Sequence, residues 1–279
     1  GISAHMTLQY QAENTTATAS NPTTTGTTLT AKKLIGKIQF SEEFVEDSII
    51  PVIPALKEDC ATAAAQAEEA VVLWGDDTTT AASNIDKNVT DSTATHVQQA
   101  FNGLWYTIKN GTANWFVAYG TDWPTSIRAL RAAMGKYAIN PLDCLVVMGT
   151  DVYNHCVTNS GFLTWDKVGP NAAALTGMLP NPSAAAPYGF FDGMWVTVSA
   201  YMYNTNASGV RVTTVATNDK HTVALVNRRR VIIGQRRAIT LKPHMDPLTD
   251  SQYLVVTTRI ALALPDGGTT GAYAGSYNG

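Results

Sequence analysis

Two adjacent carboxylates follow a glycine at Gly75-Asp76-Asp77, inside the stretch EEAVVLWGDDTTT. Such a pair can hold a divalent cation, as at polymerase metal sites, when it sits on a hairpin with another carboxylate strand nearby. Here the string follows the strongest helical pattern in the chain. The plainer reading makes Gly75 the helix stop, in the left-handed conformation that glycine adopts by default. Asp76 and Asp77 then open a loop with Thr78, Thr79 and Thr80. Other reactive types are scattered. His5, His96, His155, His221 and His244 contain no HxxxH pair, and Cys156 beside His155 is the one close His–Cys neighbour. Cys60, Cys144 and Cys156 are odd in number and widely spaced, which fits reduced thiols and neither a disulfide framework nor a zinc site. There is no P-loop, G-x-S-x-G or G-x-G-x-x-G string. No catalytic residue, cofactor or metal ligand is expected. The N-x-S/T strings at Asn14, Asn88, Asn110 and Asn206 arise readily by chance in a Thr- and Asn-rich chain.

One basic cluster stands out, NRRRVIIGQRR at 227–237. Read as a strand, it places Arg228, Arg230 and Ile232 on one face and Arg229, Val231 and Ile233 on the other, so neither face is wholly core. The planar guanidinium fork suits bidentate pairing with carboxylate or phosphate. Arg228, Arg230 and Arg237 are therefore expected at intersubunit contacts; phosphate contact and a solvated strand edge are the alternatives.

The elements that must position these residues follow from periodicity. Residues 7–13 alternate as a strand, 14–28 form an uncharged Thr-rich loop, and 29–40 form a second strand. Together they predict a long hairpin with no core of its own, lying on another molecule. Ser41, Glu42 and Glu43 lead into a helix whose regular part begins near Ile50 to Pro54 and ends at Trp74. Its apolar stripe is Ile53, Leu56, Cys60, Ala63, Ala67, Ala70 and Trp74. Further helices are expected over 94–110, 123–138 (with Ile127, Leu130 and Met134 inward) and 150–159 (capped by Thr150 and Asp151). Strands are expected over 142–149, 193–203, 209–217, 222–244 (bent at Gly234) and 251–265, with long loops at 81–92 and 160–190 and a loose tail from Gly267. Strands and helices mix without a βαβ rhythm, so the class is α+β.

Composition narrows the function. Of 279 residues, 45% are apolar and 15% charged, against a usual quarter. That surface suits a protein buried against neighbours. The net charge of −3 argues against a general nucleic-acid binder. No apolar run approaches the ~18 residues of a membrane span, and no signal peptide is visible. The opening GISAHM reads as a scar, a cleaved end or the start of an ordered part, and is set apart from the fold.

Five stretches, in order, resemble the major capsid protein of tailed bacteriophages, the Hong Kong 97-type fold. TLTAKKLIGKIQFSEEFVEDS is similar to that family's second extended-loop strand and its S-x-E-L-L-x-D-S entry to the spine helix, with Ser41, Glu43, Asp47 and Ser48 matching and Phe44-Val45 replacing the Leu pair. AAAQAEEAVVLWGDDT is similar to the spine-helix end A-x-A-x-x-E-x-x-x-L-x-G-D-G-T, Asp77 replacing the second Gly. GKYAINPLDCLVVMGTDVYNHC resembles the axial-domain helix, strand and helix, and FFDGMWVTVSAYM its L-x-G-x-P-V-x-x-S strand with Trp195 for Pro. The closing strands, with Arg259 before the last apolar strand, complete a match over about 7–266.

The resemblance implies an N-terminal remnant and extended loop at 1–43, a peripheral domain with the spine helix at 44–120, an axial domain at 121–240 and closing peripheral strands with a tail at 241–279. It implies a structural, non-enzymatic shell of hexamers and pentamers. The implied partners are a scaffolding segment or protein, a portal, packaged double-stranded DNA held non-specifically and a decoration protein. The shell would be a virion capsid, assembled in the bacterial cytoplasm without a membrane. An encapsulin-type compartment is the alternative. The family's type member welds subunits through a loop Lys. Residues 14–28 hold none, and Lys32 and Lys33 lie on the returning strand, so the shell is expected to be non-covalent, with these two lysines at intersubunit contacts.

Overall fold

The computed structural model describes residues 2–4, 10, 23–24, 26–41, 43, 52–78, 85, 96–111, 116–117, 122–158, 162–163, 189–206, 208–211, 220–246, 251–265 and 271–278. The strand expected at 7–13, most of 81–92 and 160–190, and most of the strand expected at 209–217 lie outside these residues.

Three sheets organise the described chain. β1 (Ile2–Ala4) pairs antiparallel with β2 (Thr23–Thr24). β3 (Lys32–Ser41) is one edge of a three-stranded sheet, with β11 (Ser251–Ala263) central and β10 (Ile232–Asp246) on the far edge. Seven strands form the third sheet. They are β4 (Phe116–Val117), β12 (Tyr273–Asn278), β9 (His221–Asn227), β5 (Cys144–Met148), β8 (Met194–Val198), β7 (Phe190–Phe191) and β6 (Phe162–Leu163), in that spatial order.

The third sheet holds the core because both its faces are covered. Along β9, Val223 and Leu225 meet Ile127, Leu130 and Met134 of α3 (Trp123–Met134) and Val152 and Cys156 of α4 (Thr150–Val157). Ala224 and Val226, pointing the other way, meet Trp74 at the end of α1 (Val52–Trp74) and Trp105 and Ile108 of α2 (Leu104–Lys109). The two-residue side-chain period sends alternate residues into different cores, so such a strand reads as an unbroken apolar run. β5 and β8 are parallel, with α4 between them in sequence. That is one βαβ-like crossover in an otherwise mostly antiparallel sheet.

Several expectations change. Ile2–Ala4, set apart as outside the fold, forms β1. The returning arm of the expected hairpin does not stand free. Lys32–Ser41 pairs with β11 from Ile260 to Ser251, within its own chain. The expected helix over 94–110 breaks into a 3-10 turn at Val97–Ala100 and α2, because Gly103 packs its backbone against the end of α1. The cap of α4 is Gly149, without a side-chain bond, in place of Thr150 and Asp151. The tail expected to be loose supplies β12. Its Gly275 lies so close to α2 that a Cβ there would sit 2.6 Å from Ile108 Cγ2. In α1 the expected stripe is buried at Cys60, Ala70 and Trp74, while Ala64 is buried in place of the exposed Ala63.

Candidate functional site

The Gly75-Asp76-Asp77 string is a backbone junction. α1 ends at Trp74, and Gly75 N still donates to Val71 O at 2.9 Å. Gly75 does not adopt a left-handed conformation, contrary to the expectation. Space is what demands glycine here. A Cβ would lie 2.2 Å from Phe101 O and 2.4 Å from Val71 O. Gly103 meets it from the other side and donates its N–H to Gly75 O at 2.8 Å, while Asp76 N donates to Gln98 O at 2.7 Å. Beneath the junction Trp74 stacks on Trp105 at 5.5 Å, with Tyr203 edge-on to Trp74 at 5.4 Å.

Asp76 is fully buried and organises the following loop. Its Oδ1 accepts from Thr78 N at 2.9 Å and from the Thr78 hydroxyl, and its Oδ2 accepts from Ile85 N at 2.7 Å. Both carboxylate oxygens are therefore occupied by donors. Asp77 is exposed, and its N–H donates to Asn102 Oδ1 at 3.0 Å. Among the described residues no group of three His, Cys, Asp or Glu side chains could hold a metal.

The arginine cluster is not one bent strand. The break falls at Arg228–Arg230, which form a 3-10 turn between β9 and β10, and not at Gly234. Asn227 causes it: its Oδ1 accepts from Arg229 N at 3.0 Å, capping the turn, and its Nδ2 donates to Tyr137 O at 2.6 Å. The expected alternation of arginines across two faces therefore fails. Arg228 Nη2 donates to Leu142 O at 2.9 Å and its guanidinium lies 5.3 Å from the Trp195 ring. Arg229 Nε pairs with Asp143 Oδ1 at 2.8 Å. Arg230 lies over Tyr137 at 5.5 Å, and its carbonyl accepts from Tyr273 Oη. The triplet thus fastens the turn at 137–143 to the end of β9, with its side chains still partly in solvent. Arg236 and Arg237 are exposed on β10, and Lys32 and Lys33 on β3. Arg237 and Lys33 come together, both register-paired with Arg259 of β11; Arg228 and Arg230 are elsewhere.

Sequence reasoning missed a cleft of 440 Å³ beside α1. It is lined by Ala63, Ala64 and Ala67 of α1, by residues 33–36 of β3 and by His96 and Val97. The small side chains of the run ATAAAQA at 61–67 were the available signal. His96 Nδ1 accepts from Gln98 N at 3.3 Å and caps the 3-10 turn at the rim. Burial, and then the positive charge of Arg211, lower its pKa. The three cysteines are free and buried. Burial, and then Asp122, push the Cys156 thiol up to about 12.

The phage capsid family model matches residues 2–149, more than half of the chain. No curated protein matches the sequence. Among solved structures, the capsid of a native GTA particle aligns over 99% of this chain and 82% of its own, at 14% identity and a TM-score of 0.61. A chain of Mycobacterium phage Adephagia aligns over 99% and 82% at 15% identity and 0.59, and one of Microbacterium phage Oxtober96 over 99% and 83% at 14% identity and 0.60. The chain belongs to the phage capsid family, with the Hong Kong 97-type fold. It is a structural protein of a tailed-phage capsid and not an enzyme, and copies of it form the shell of the virion. The encapsulin alternative is not favoured.

Proposed function

We propose that this protein assembles as hexamers and pentamers into a closed icosahedral shell around double-stranded DNA. Assembly takes place in the host bacterial cytoplasm, guided by a scaffolding segment or protein and started at a portal. Residues 1–43 serve as N-terminal remnant and extended loop, 44–120 as peripheral domain with α1 as spine, 121–240 as axial domain, and 241–279 as closing strands and tail. Arg237, Lys32 and Lys33 contact neighbouring subunits, with Arg228 and Arg230 adding exposed guanidinium faces from their anchored turn. The shell is held by non-covalent contacts.

The observation that carries this reading is the capsid-family match over residues 2–149. It is tested by purifying the full chain and imaging it in negative stain. Closed shells support the reading, and monodisperse subunits under every assembly condition oppose it. Deleting residues 14–28 should leave the subunit folded and impair assembly. Particles from infected cells should carry the 260 nm absorbance of DNA, whereas cargo protein without DNA would revive the compartment alternative.

A further inference from the structure

The three-stranded sheet has one face against α1. Ile38 and Phe40 of β3 join Leu254 and Val256 of β11 and Ile239 and Leu241 of β10 there, against Leu56, Cys60 and Ala64 of α1. The alternate residues of β3, namely Lys33, Ile35, Lys37 and Gln39, look away from the helix and are exposed. The register extends this outer face across the sheet. Lys33 pairs with Arg259 and Arg259 with Arg237; Lys37 pairs with Val255 and Val255 with Lys242; Gln39 pairs with Tyr253 and Tyr253 with His244. Lys37 Nζ lies 4.8 Å from the centre of the Tyr253 ring.

This face is far more basic than the chain. The outer face carries five of its nineteen Lys and Arg, namely Lys33, Lys37, Arg237, Lys242 and Arg259, while the three strands together hold one of its 22 carboxylates, Asp246 at the end of β10. Like charges directly opposite one another destabilise a ladder, yet three cations sit side by side in the Lys33–Arg259–Arg237 row. The Arg259 fork is incompletely used: its Nη2 reaches the Ala31 carbonyl at 3.5 Å, and its buried Nε has no hydrogen-bond partner. Among the described residues no carboxylate is paired with Lys33, Arg237 or Arg259, and a row of like charges of this kind favours an acidic partner.

We propose that the outer face of this sheet is a docking surface for a second copy of the chain, which presents the exposed acidic residues Glu58 and Asp59 near the start of α1. Glu58 and Asp59 in α1, and Glu43 ahead of it, are exposed. α1 packs on the opposite face of its own sheet, so Glu58 and Asp59 do not face the basic rows of their own copy. They meet another copy's. Exposed Ile35, half-buried Val255 and Tyr253 lie among the cations and supply the apolar and aromatic centre of a protein interface. A nucleic acid duplex would use the cations alone. The inference rests on the self-assembly proposed above. It adds which surfaces meet and why copies of net charge −3 associate in one orientation.

The test is a heterospecific charge swap in the full chain, read by sedimentation velocity. One variant carries Lys37→Glu with Lys242→Glu, and the other Glu58→Lys with Asp59→Lys. All four positions are exposed, and circular dichroism and thermal melting of each subunit check the fold. Each variant alone should lose association at least about ten-fold, and an equimolar mixture should regain it, because the unaltered acidic residues of the first variant then meet the unaltered basic face of the second, and the two reversed surfaces meet each other. Added salt should weaken the wild-type contact. Either variant associating alone as the wild type does, or a mixture that stays dissociated, overturns the inference. So does a Lys37→Glu/Lys242→Glu protein that assembles normally and loses only duplex-DNA binding, which would assign the face to nucleic acid. A wild-type protein that associates into open oligomers and never closes, while the swap behaves as expected, would defeat the shell reading and leave this contact standing.

Discussion

Replacing Gly75 by Ala separates two accounts of why glycine is there. If Gly75 were simply a helix stop, alanine would be harmless or would extend α1, a gain of up to ~1 kcal/mol. The geometry demands the opposite sign. The new Cβ would lie 2.2 Å from Phe101 O and 2.4 Å from Val71 O, both backbone atoms that no rotamer change can move. Relief requires the 98–103 segment to withdraw from α1. Overpacking of this kind costs roughly 1–3 kcal/mol. Withdrawal also weakens the Asp76 N–H bond to Gln98 O and the Gly103 N–H bond to Gly75 O, at about 1 kcal/mol each. The expected loss is therefore about 3–5 kcal/mol, a large share of a typical domain's ~5–15 kcal/mol. At roughly 2–4 °C per kcal/mol it corresponds to a melting point lower by roughly 6–20 °C. Unassembled subunits would be unfolded in urea and followed by tryptophan fluorescence, since the Trp74–Trp105 stack lies directly below the junction. Gly26→Ala is the control, because nothing lies within 4 Å of a Cβ at that position. A Gly75→Ala subunit as stable as the wild type, or more so, would refute the reasoning.

Asp76→Asn should destabilise the subunit by about 1–3 kcal/mol, since an amide NH₂ would then face a backbone donor. Asp77→Asn should be neutral in the same urea titration, and neither shell assembly nor stability should respond to chelators. His96 has a lowered folded pKa, so the unfolded chain binds the proton first as pH falls below ~6.5, and stability drops on acidification through that window. His96→Asn keeps an acceptor for Gln98 N and should flatten the fall in melting temperature between about pH 7 and pH 5. Cys156, buried and with its thiol pushed up to about 12, should resist alkylation near pH 8 until the subunit is unfolded, as mass spectrometry would read. Mature particles should run as a single monomer band on a denaturing gel with or without reductant; a ladder that survives boiling would show a covalent weld.

Where one face of an element is buried continuously, the residues alone located it. Ile127, Leu130 and Met134 declare α3 because their spacing of three and four leaves a single solution, and all three are buried. Residues 142–149 declare β5 because both faces of a central strand need apolar side chains. The run from Pro54 to Trp74 declares α1 by its stripe and early prolines, and the order of such stretches was enough to identify the capsid fold. Tertiary contact decided what depends on a partner distant in sequence. GAYAGSYNG carries no large aliphatic signal, yet Gly275 and its small neighbours are what let β12 lie against Trp105 and Ile108. Three consecutive arginines read as strand until Asn227, itself held by the Tyr137 carbonyl, caps them into a turn. The lysines of β3 read as one arm of a free hairpin. Hydrogen bonding to β11, more than 200 residues away, lines them up with Arg259, Arg237 and Lys242 and turns scattered charges into one basic face. Periodicity records which side of an element avoids water. It holds no record of which backbone, far along the chain, the edge of that element will meet.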